Sequence, residues 1–273
     1  MPYLGGKASD GVYQFIINQI PPHHTYIEPF LGGGAVMQFI RPAAHSIGIE
    51  LDPNVTRAAT AKMAGRPGTR IINDDSLDWL AEWARTGHSF DGSEFIYADP
   101  PYLASTRRSQ YTIYPHDMTT EEEHNTLIDL LLSIPCKIAL SSYFNSLYAQ
   151  RLKGWRMLTY KARTRGKYTA VECLWLNYPE PWELHDYRYL GKDYRDRERI
   201  MKKKRRWTTR LRNMPPSERY ALMDALNEVH TGIHAPKKTR GAGKRLPPTP
   251  AAARLDEVRS STTDAADMIK EKI

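Results

Sequence analysis

The chain has 273 residues, 41% of them apolar, and 39 Lys and Arg against 31 Asp and Glu, for a formal net charge of +8. That length fits one catalytic domain with an extension and can bury a sizeable core. No run approaches the roughly 18 apolar residues of a membrane helix, and Met1 leads straight into Pro2-Tyr3 without the regions of a cleavable signal. Cys136 and Cys173 both fall in apolar segments, and the nine histidines lack metal spacing. A disulfide framework and a metal site are therefore excluded, and a cytoplasmic protein is expected.

The N-terminus opens on Pro2-Tyr3-Leu4-Gly5-Gly6-Lys7, a glycine turn ending in a cation, before an apolar-periodic helix from about Gly11 to Ile20. Thr25 to Phe30 reads as a short buried strand feeding the loop Leu31-Gly32-Gly33-Gly34, and Ala35 to Ile40 continues as a helix. A strand, glycine turn and helix in this order bring backbone close to a ligand. Alone, the glycines suit a dinucleotide as well as any other nucleoside cofactor. Glu50 ends the next strand, His45 to Ile49, where its carboxylate can accept both ribose hydroxyls; Asp52 competes for that role but also suits the cap of a helix beginning near Pro53. A third strand, Arg70 to Ile72, runs into Asp74 and Asp75. Asp75 is a candidate for a cofactor's adenine amine, or, like Asp74 and Ser76, a helix cap.

Phe95 to Ala98 is a further apolar strand, and Asp99-Pro100-Pro101-Tyr102 follows it. An aromatic amine is a weak nucleophile because its lone pair is delocalised into the ring, so a site must draw the nitrogen toward tetrahedral geometry with hydrogen-bond acceptors. The Asp99 carboxylate and the Pro100 carbonyl can each accept one amino hydrogen, and consecutive prolines fix the backbone that aims them. Tyr102 offers a stacking face for a base flipped out of its helix. The next loop carries Arg107 and Arg108, candidates for phosphates flanking that base. Beyond it, Thr119 to Ser133 reads as a helix and Lys137 to Ser142 as a strand; Arg165-Gly166-Lys167 leads into Val171 to Tyr178.

The order of these motifs, Tyr3-Leu4-Gly5-Gly6-Lys7, then Glu28-Pro29-Phe30 with its glycines, then Asp99-Pro100-Pro101-Tyr102, resembles the Dam-like (alpha-type) S-adenosylmethionine-dependent DNA adenine-N6 methyltransferases over roughly residues 2 to 178. The resemblance implies that Tyr3, Lys7, Glu28, Phe30, Gly32, Gly34 and Glu50 line the S-adenosylmethionine pocket, with Lys7 against the methionine carboxylate. It implies that Asp99, Pro100 and Tyr102 hold the target adenine, and that the loop from Arg163 to Lys167, with Lys167, closes near the flipped base. Asp75 joins the cofactor residues on the reading above. The fold implied is a three-layer Rossmann-like α/β sheet of seven strands, the one near Ala170 to Leu176 reversed, with a helical basic extension. One feature departs from the family: Leu51 to Glu94 is filled by two helix-like stretches and a strand, leaving no room for the usual target-recognition segment.

Residues 186 to 213 hold twelve Lys and Arg against four Asp and Glu, the whole of the chain's excess charge. The block Lys202-Lys203-Lys204-Arg205-Arg206, with Tyr187, Tyr189, Tyr194 and Trp207 interleaved, suits phosphate contacts; a solvated helix with acidic i,i+4 partners is the plainer reading. Pro215 to Val229 predicts a helix with apolar positions at Tyr220, Leu222, Met223, Leu226 and Val229. The domains expected are 1–182 for methyl transfer, 183–234 as a basic, DNA-binding extension, and 235–273 as a flexible tail. Cytosine-N4 methylation, an RNA adenine substrate, a glutamine-modifying methyltransferase and a nucleic-acid-binding protein with a decayed methyltransferase fold are the rival readings. A compact methylase of this kind suits a phage or a bacterial modification system.

Overall fold

In the computed structural model, residues 7–8, 11–86, 90–107, 117–163 and 169–234 are described. The chain divides into two compact units, Met1–Arg210 and Leu211–Ile273. The first is built on a seven-stranded sheet made of β1 (Thr25–Glu28), β2 (His45–Glu50), β3 (Thr69–Asn73), β4 (Glu94–Ala98), β5 (Lys137–Ser142), β6 (Arg156–Arg163) and β7 (Thr169–Leu176). Their spatial order is β3-β2-β1-β4-β5-β7-β6. β1 to β5 run parallel, and β7 is antiparallel to both β5 and β6.

The helices of this unit are α1 (Val12–Ile17), α2 (Ala35–Phe39), α3 (Pro53–Lys62), α4 (Ser76–Arg85), α5 (Glu121–Ser133), α6 (Ser146–Arg151) and α7 (Tyr194–Arg212), whose last turn crosses the division. Alternation along the central strands sorts their side chains between two cores. Tyr26, Phe95, Tyr97 and Ala139 pack with Ile16 of α1, Val36 and Met37 of α2 and Ala59 of α3. Ile27, Ile96, Ala98 and Leu140 pack on the other face with Leu80 of α4, Leu127 and Ile128 of α5 and Tyr148 of α6. A sheet covered on both faces needs near-continuous apolar strands, as the fully buried β4 shows.

Local chemistry sets the helix starts. Asp52 and Asp75 each take two backbone N–H groups at the N-termini of α3 and α4, while Thr120 and Glu123 form a reciprocal capping box on α5. The interval Leu51 to Glu94 is occupied by α3, β3 and α4, as the sequence predicts. Two elements that the sequence analysis does not define, α6 and β6, complete the far side of the sheet.

The expected boundary at 182 does not coincide with the division at 210. Residues 185–191 are tied to the catalytic layer: the His185 N–H donates to the Ile20 carbonyl at 2.9 Å, the Arg41 N–H to Asp186 at 2.8 Å, and Arg188 to the Phe39 carbonyl at 2.6 Å. Tyr13 stacks on Phe39 with ring centroids 4.3 Å apart. The second unit contributes α8 (Pro216–His234), the helix predicted there, whose Tyr220, Leu226 and Val229 are solvent-exposed. The expected tail, 235–273, lies outside the described residues.

Gly68 joins α3 to β3 at φ +64°, and a Cβ there would lie 2.0 Å from the Ala44 carbonyl oxygen; Gly65, at φ +80°, has open space around it. Gly68→Ala should therefore lose more than about 2 kcal/mol, and Gly65→Ala only about 1 kcal/mol, the ordinary cost of a left-handed alanine. Urea unfolding of both variants checks the difference, and equal losses would contradict the close approach.

Candidate active site

β1 and β4 are parallel neighbours, with Ile27 opposite Ile96. The loops that leave their carboxyl ends, the glycine loop after β1 and Asp99–Tyr102 after β4, therefore start about one strand spacing, ~4.8 Å, apart. This is also where the strand order reverses direction, the crevice at which open α/β sheets bind ligands. The sheet thus sets the two motifs side by side at the carboxyl ends of its central strands.

Asp99 sits in a cluster of buried charges. Lys7 Nζ lies 2.9 Å from Asp99 Oδ1 and 3.2 Å from Glu172 Oε2 of β7, and donates to the Tyr102 hydroxyl at 2.8 Å. That hydroxyl stands 2.7 Å from Glu172 Oε2 and 3.2 Å from Asp99 Oδ1. Having one proton, it serves the nearer carboxylate. Tyr160 of β6 donates its one hydroxyl proton to Glu172 at 2.8 Å and lies 3.2 Å from the Ser141 hydroxyl, which pairs with Tyr97 at 3.0 Å. Lys7 is thus placed with the catalytic tetrapeptide, where its ammonium serves two carboxylates.

Burial works against the Lys7 charge, but Asp99 and Glu172 outweigh it and hold its pKa well above the ordinary range. Burial is also the main influence on Asp99, and it raises that carboxyl; Lys7 opposes the rise and Glu172 adds to it. For Glu172 burial is again foremost, yet Lys7 and the Tyr102 and Tyr160 hydroxyls prevail and hold it low. The two carboxyls on this one cation are thus pushed in opposite directions. Pro100 is buried beside Asp99, and the Tyr102 ring, partly exposed, meets Tyr143 edge-on at 4.6 Å.

On the cofactor side, Gly32 and Gly34 take φ +50° and +60°. Gly34 caps α2, and a Cβ there would sit 2.7 Å from Met63 Cε. Glu50 accepts the Gly32 N–H at 2.8 Å and the Asp52 N–H at 2.9 Å, one on each oxygen, which ties the end of β2 to the loop and leaves lone pairs for ribose hydroxyls. Glu28 is buried and accepts from the Tyr26 hydroxyl at 2.8 Å and the Met37 N–H at 3.0 Å, joining β1 to the first turn of α2. Phe30 is half-buried. Asp52 and Asp75 both spend a carboxylate oxygen on their helix caps, the plainer of the two roles considered for each. Positive-φ glycines, a ribose-competent carboxylate and an aromatic ring at adjoining strand ends fit a nucleoside cofactor.

The expected nucleic-acid residues divide. Arg107 turns inward: it donates to the Tyr102 carbonyl and to both oxygens of Asp117, one at 2.6 Å, with both side chains almost fully buried. Its guanidinium is committed to the protein. Lys202, Lys203, Lys204, Arg205 and Arg206 lie exposed on α7. Lys202 pairs with Glu198 four positions before it at 3.2 Å, and Arg199 with Asp196 three positions before it at 2.7 Å, so part of the stripe has the acidic partners of the plainer reading. Tyr3, Arg108 and Lys167 lie outside the described residues. Sequence reasoning missed Glu172 and Tyr160; a carboxylate inside the apolar run Val171 to Leu176 was the available signal for the first.

Strand order and the reversed β7 define a Rossmann-like α/β fold with two loops paired at its switch point. Residues 84–161, which include the tetrapeptide, match the family model of the D12 class N6 adenine-specific DNA methyltransferases. Over that stretch the resemblance read from the motifs is borne out, and the match indicates S-adenosylmethionine as the cofactor. No curated protein matches the sequence. Similar solved structures include the Escherichia coli protein yhhF, a candidate methyltransferase (19% identity, 64% of this chain, 89% of that one, TM-score 0.41). The 23S rRNA methyltransferase ErmE (14%, 68% and 73%, 0.41) and TrmN from Thermus thermophilus (15%, 60% and 46%, 0.41) are others. No helix among the described residues is long and apolar enough to cross a membrane.

Burial, chiefly, raises Glu28 from 4.5 to about 8; the bonds from Tyr26 and Met37 oppose it and the Asp99 charge adds to it. The folded protein holds this proton more tightly than the unfolded chain, so the stabilisation is full below about 4.5 and is lost as pH rises toward about 8. Glu28→Gln should flatten that decline, and chemical denaturation of both proteins at stepped pH across the window measures it. Equal slopes would show that the carboxyl does not titrate there.

Proposed function

We propose that this chain transfers the methyl group of S-adenosylmethionine to the exocyclic N6 amine of adenine in DNA, by flipping the base into the β1–β4 crevice and transferring directly. The observation that carries the reading is the Asp99–Tyr102 turn beside the glycine loop, inside the stretch that matches an adenine-N6 DNA methyltransferase model. The cofactor supplies an activated methyl on a cationic sulfonium. Gly32 to Gly34, Glu50 and Phe30 hold it, while Asp99 and the Pro100 carbonyl accept the two amine hydrogens and bring the nitrogen lone pair out of the ring plane. As the N–C bond forms, the sulfonium's bond to the methyl would break and leave a neutral thioether, so the positive charge passes to the nitrogen, which then carries a surplus proton. Asp99, whose carboxyl is raised by burial, is the acceptor placed to receive it.

Double-stranded DNA would meet α7, whose exposed Lys203, Lys204, Arg205 and Arg206 face solvent and so can reach phosphates. Trp207, with Arg210 5.7 Å from its ring centroid, adds an exposed aromatic surface beside them. Arg107 takes no part in phosphate binding here, because Asp117 holds it. A modification enzyme of phage or bacterial type, working inside the cell without a metal, is the setting this reading suits.

Two experiments test it. Plasmid DNA methylated by the purified chain and digested to nucleosides should yield N6-methyladenine, and Asp99→Ala should cut transfer about a hundredfold or more while S-adenosylmethionine binding changes little. N4-methylcytosine, label confined to RNA, or undiminished turnover by the variant would overturn the assignment. Replacing Lys203, Lys204, Arg205 and Arg206 together by Ala should make the dependence of log affinity on log salt shallower by about 2, as released counterions are lost. An unchanged slope would remove α7 from the interface.

A further inference from the structure

Asp99 has to accept the target amine, yet its Oδ1 already holds a buried ammonium. Lys7 has no route to water at that point, being 6% exposed, so it needs a second anion whenever Asp99 turns to substrate. Glu172 stands there. Its Oε2 is 3.2 Å from Lys7 Nζ and takes the hydroxyls of Tyr102 at 2.7 Å and Tyr160 at 2.8 Å, three donors on one oxygen. The Tyr102 hydroxyl in turn accepts from Lys7 at 2.8 Å, so the cation and the phenol are both held from the β7 side.

We propose that Glu172 is a positioning residue for methyl transfer: it is the standing counter-ion of Lys7 and the anchor of the Tyr102 hydroxyl, which frees the Asp99 carboxylate to accept the target amine. The proposal rests on the methyl-transfer reading above. With Glu172 present, two carboxylates share one cation, and Asp99 can give up its bond to Lys7 while the ammonium keeps Glu172 and Tyr102. With a neutral side chain at 172, Asp99 is the one carboxylate left on Lys7 among the described residues, grips it more tightly and is a poorer acceptor.

Besides Glu172, the titratable groups that interact electrostatically with Asp99 are Lys7 from the N-terminal segment, Tyr26 and Glu28 of β1, Tyr97 of β4, Tyr102 of its own turn, Tyr143 after β5 and Tyr160 of β6. Apart from the Glu172 carboxylate, Glu28→Gln and Tyr160→Phe are the substitutions that test whether another of these accounts for the effect. In Glu172→Gln the like charge beside Asp99 is gone and Lys7 is undivided; both changes lower the Asp99 pKa.

The test uses the full chain. Glu172→Gln should lower kcat about tenfold or more with the KM values for DNA and S-adenosylmethionine within about twofold, and shift the acid limb of the kcat profile to lower pH. Tyr160→Phe, which keeps the carboxylate and removes one of its donors, should lower kcat less and leave the limb nearly in place. In the free protein, carboxyl 13C titration should show Asp99 moving to lower pH in Glu172→Gln. An Asp99 titration and a kcat unchanged by Glu172→Gln, or a loss of kcat with the acid limb and the Asp99 titration unmoved, would overturn the proposal. Wild-type protein that transfers no methyl to adenine would instead defeat the functional reading, and the Asp99 titration would still decide the coupling.

Discussion

A single buried cation organises the site. Lys7 comes from the N-terminal segment, Asp99 from the end of a central parallel strand and Glu172 from the antiparallel strand on the far side of β5, and the three meet within 3.2 Å. Removing Lys7 would leave two carboxylates without their shared cation in a low-dielectric interior, a loss of several kcal/mol in comparable pairs. The arrangement therefore couples segments that no backbone ladder joins, and it does so at the place where chemistry is expected. Tyr102, Tyr160, Ser141 and Tyr97 carry the same polar network from the crevice into the core through hydroxyl contacts of 2.7 to 3.2 Å. A network of this kind is tolerable in a core only because its members satisfy one another.

The sheet supplies the frame. Parallel pairing of β1 with β2 and β4 places three loops side by side at one edge, and each ends in the residue type its task requires: glycines after β1, a carboxylate after β2, an acceptor turn after β4. Glu28 and Glu50 are ties within this frame. One fastens β1 to α2 and the other fastens β2 to the glycine loop, so the backbone that faces a cofactor is held from below by hydrogen bonds that need no ligand. Such preorganisation limits the reorganisation required when a ligand enters.

Much of this was legible in the sequence because it is written in local patterns. Apolar runs of four to six residues ending in Gly, Glu or Asp marked β1 to β4 closely, and β5 was read to its final residue. The roles of Asp52 and Asp75 needed coordinates, since an acidic residue before a helix looks the same whether it caps or binds. Arg107 was misread for a related reason: a cation in a polar loop resembles a phosphate contact until its buried partner ten residues on is seen. A carboxylate inside an apolar run marks Glu172 as unusual, but its partners, Tyr160 and Lys7, come from β6 and the N-terminal segment, and that juxtaposition leaves no periodic trace in any one of them.

The Arg107–Asp117 pair also bears on how the reactive turn keeps its shape. Its guanidinium grips the Tyr102 carbonyl as well as Asp117, so two positions ten residues apart are clasped to one point of the turn. A turn fastened at its exit by a buried ion pair is braced on both flanks, by the strand that delivers it and by the clasp that follows it.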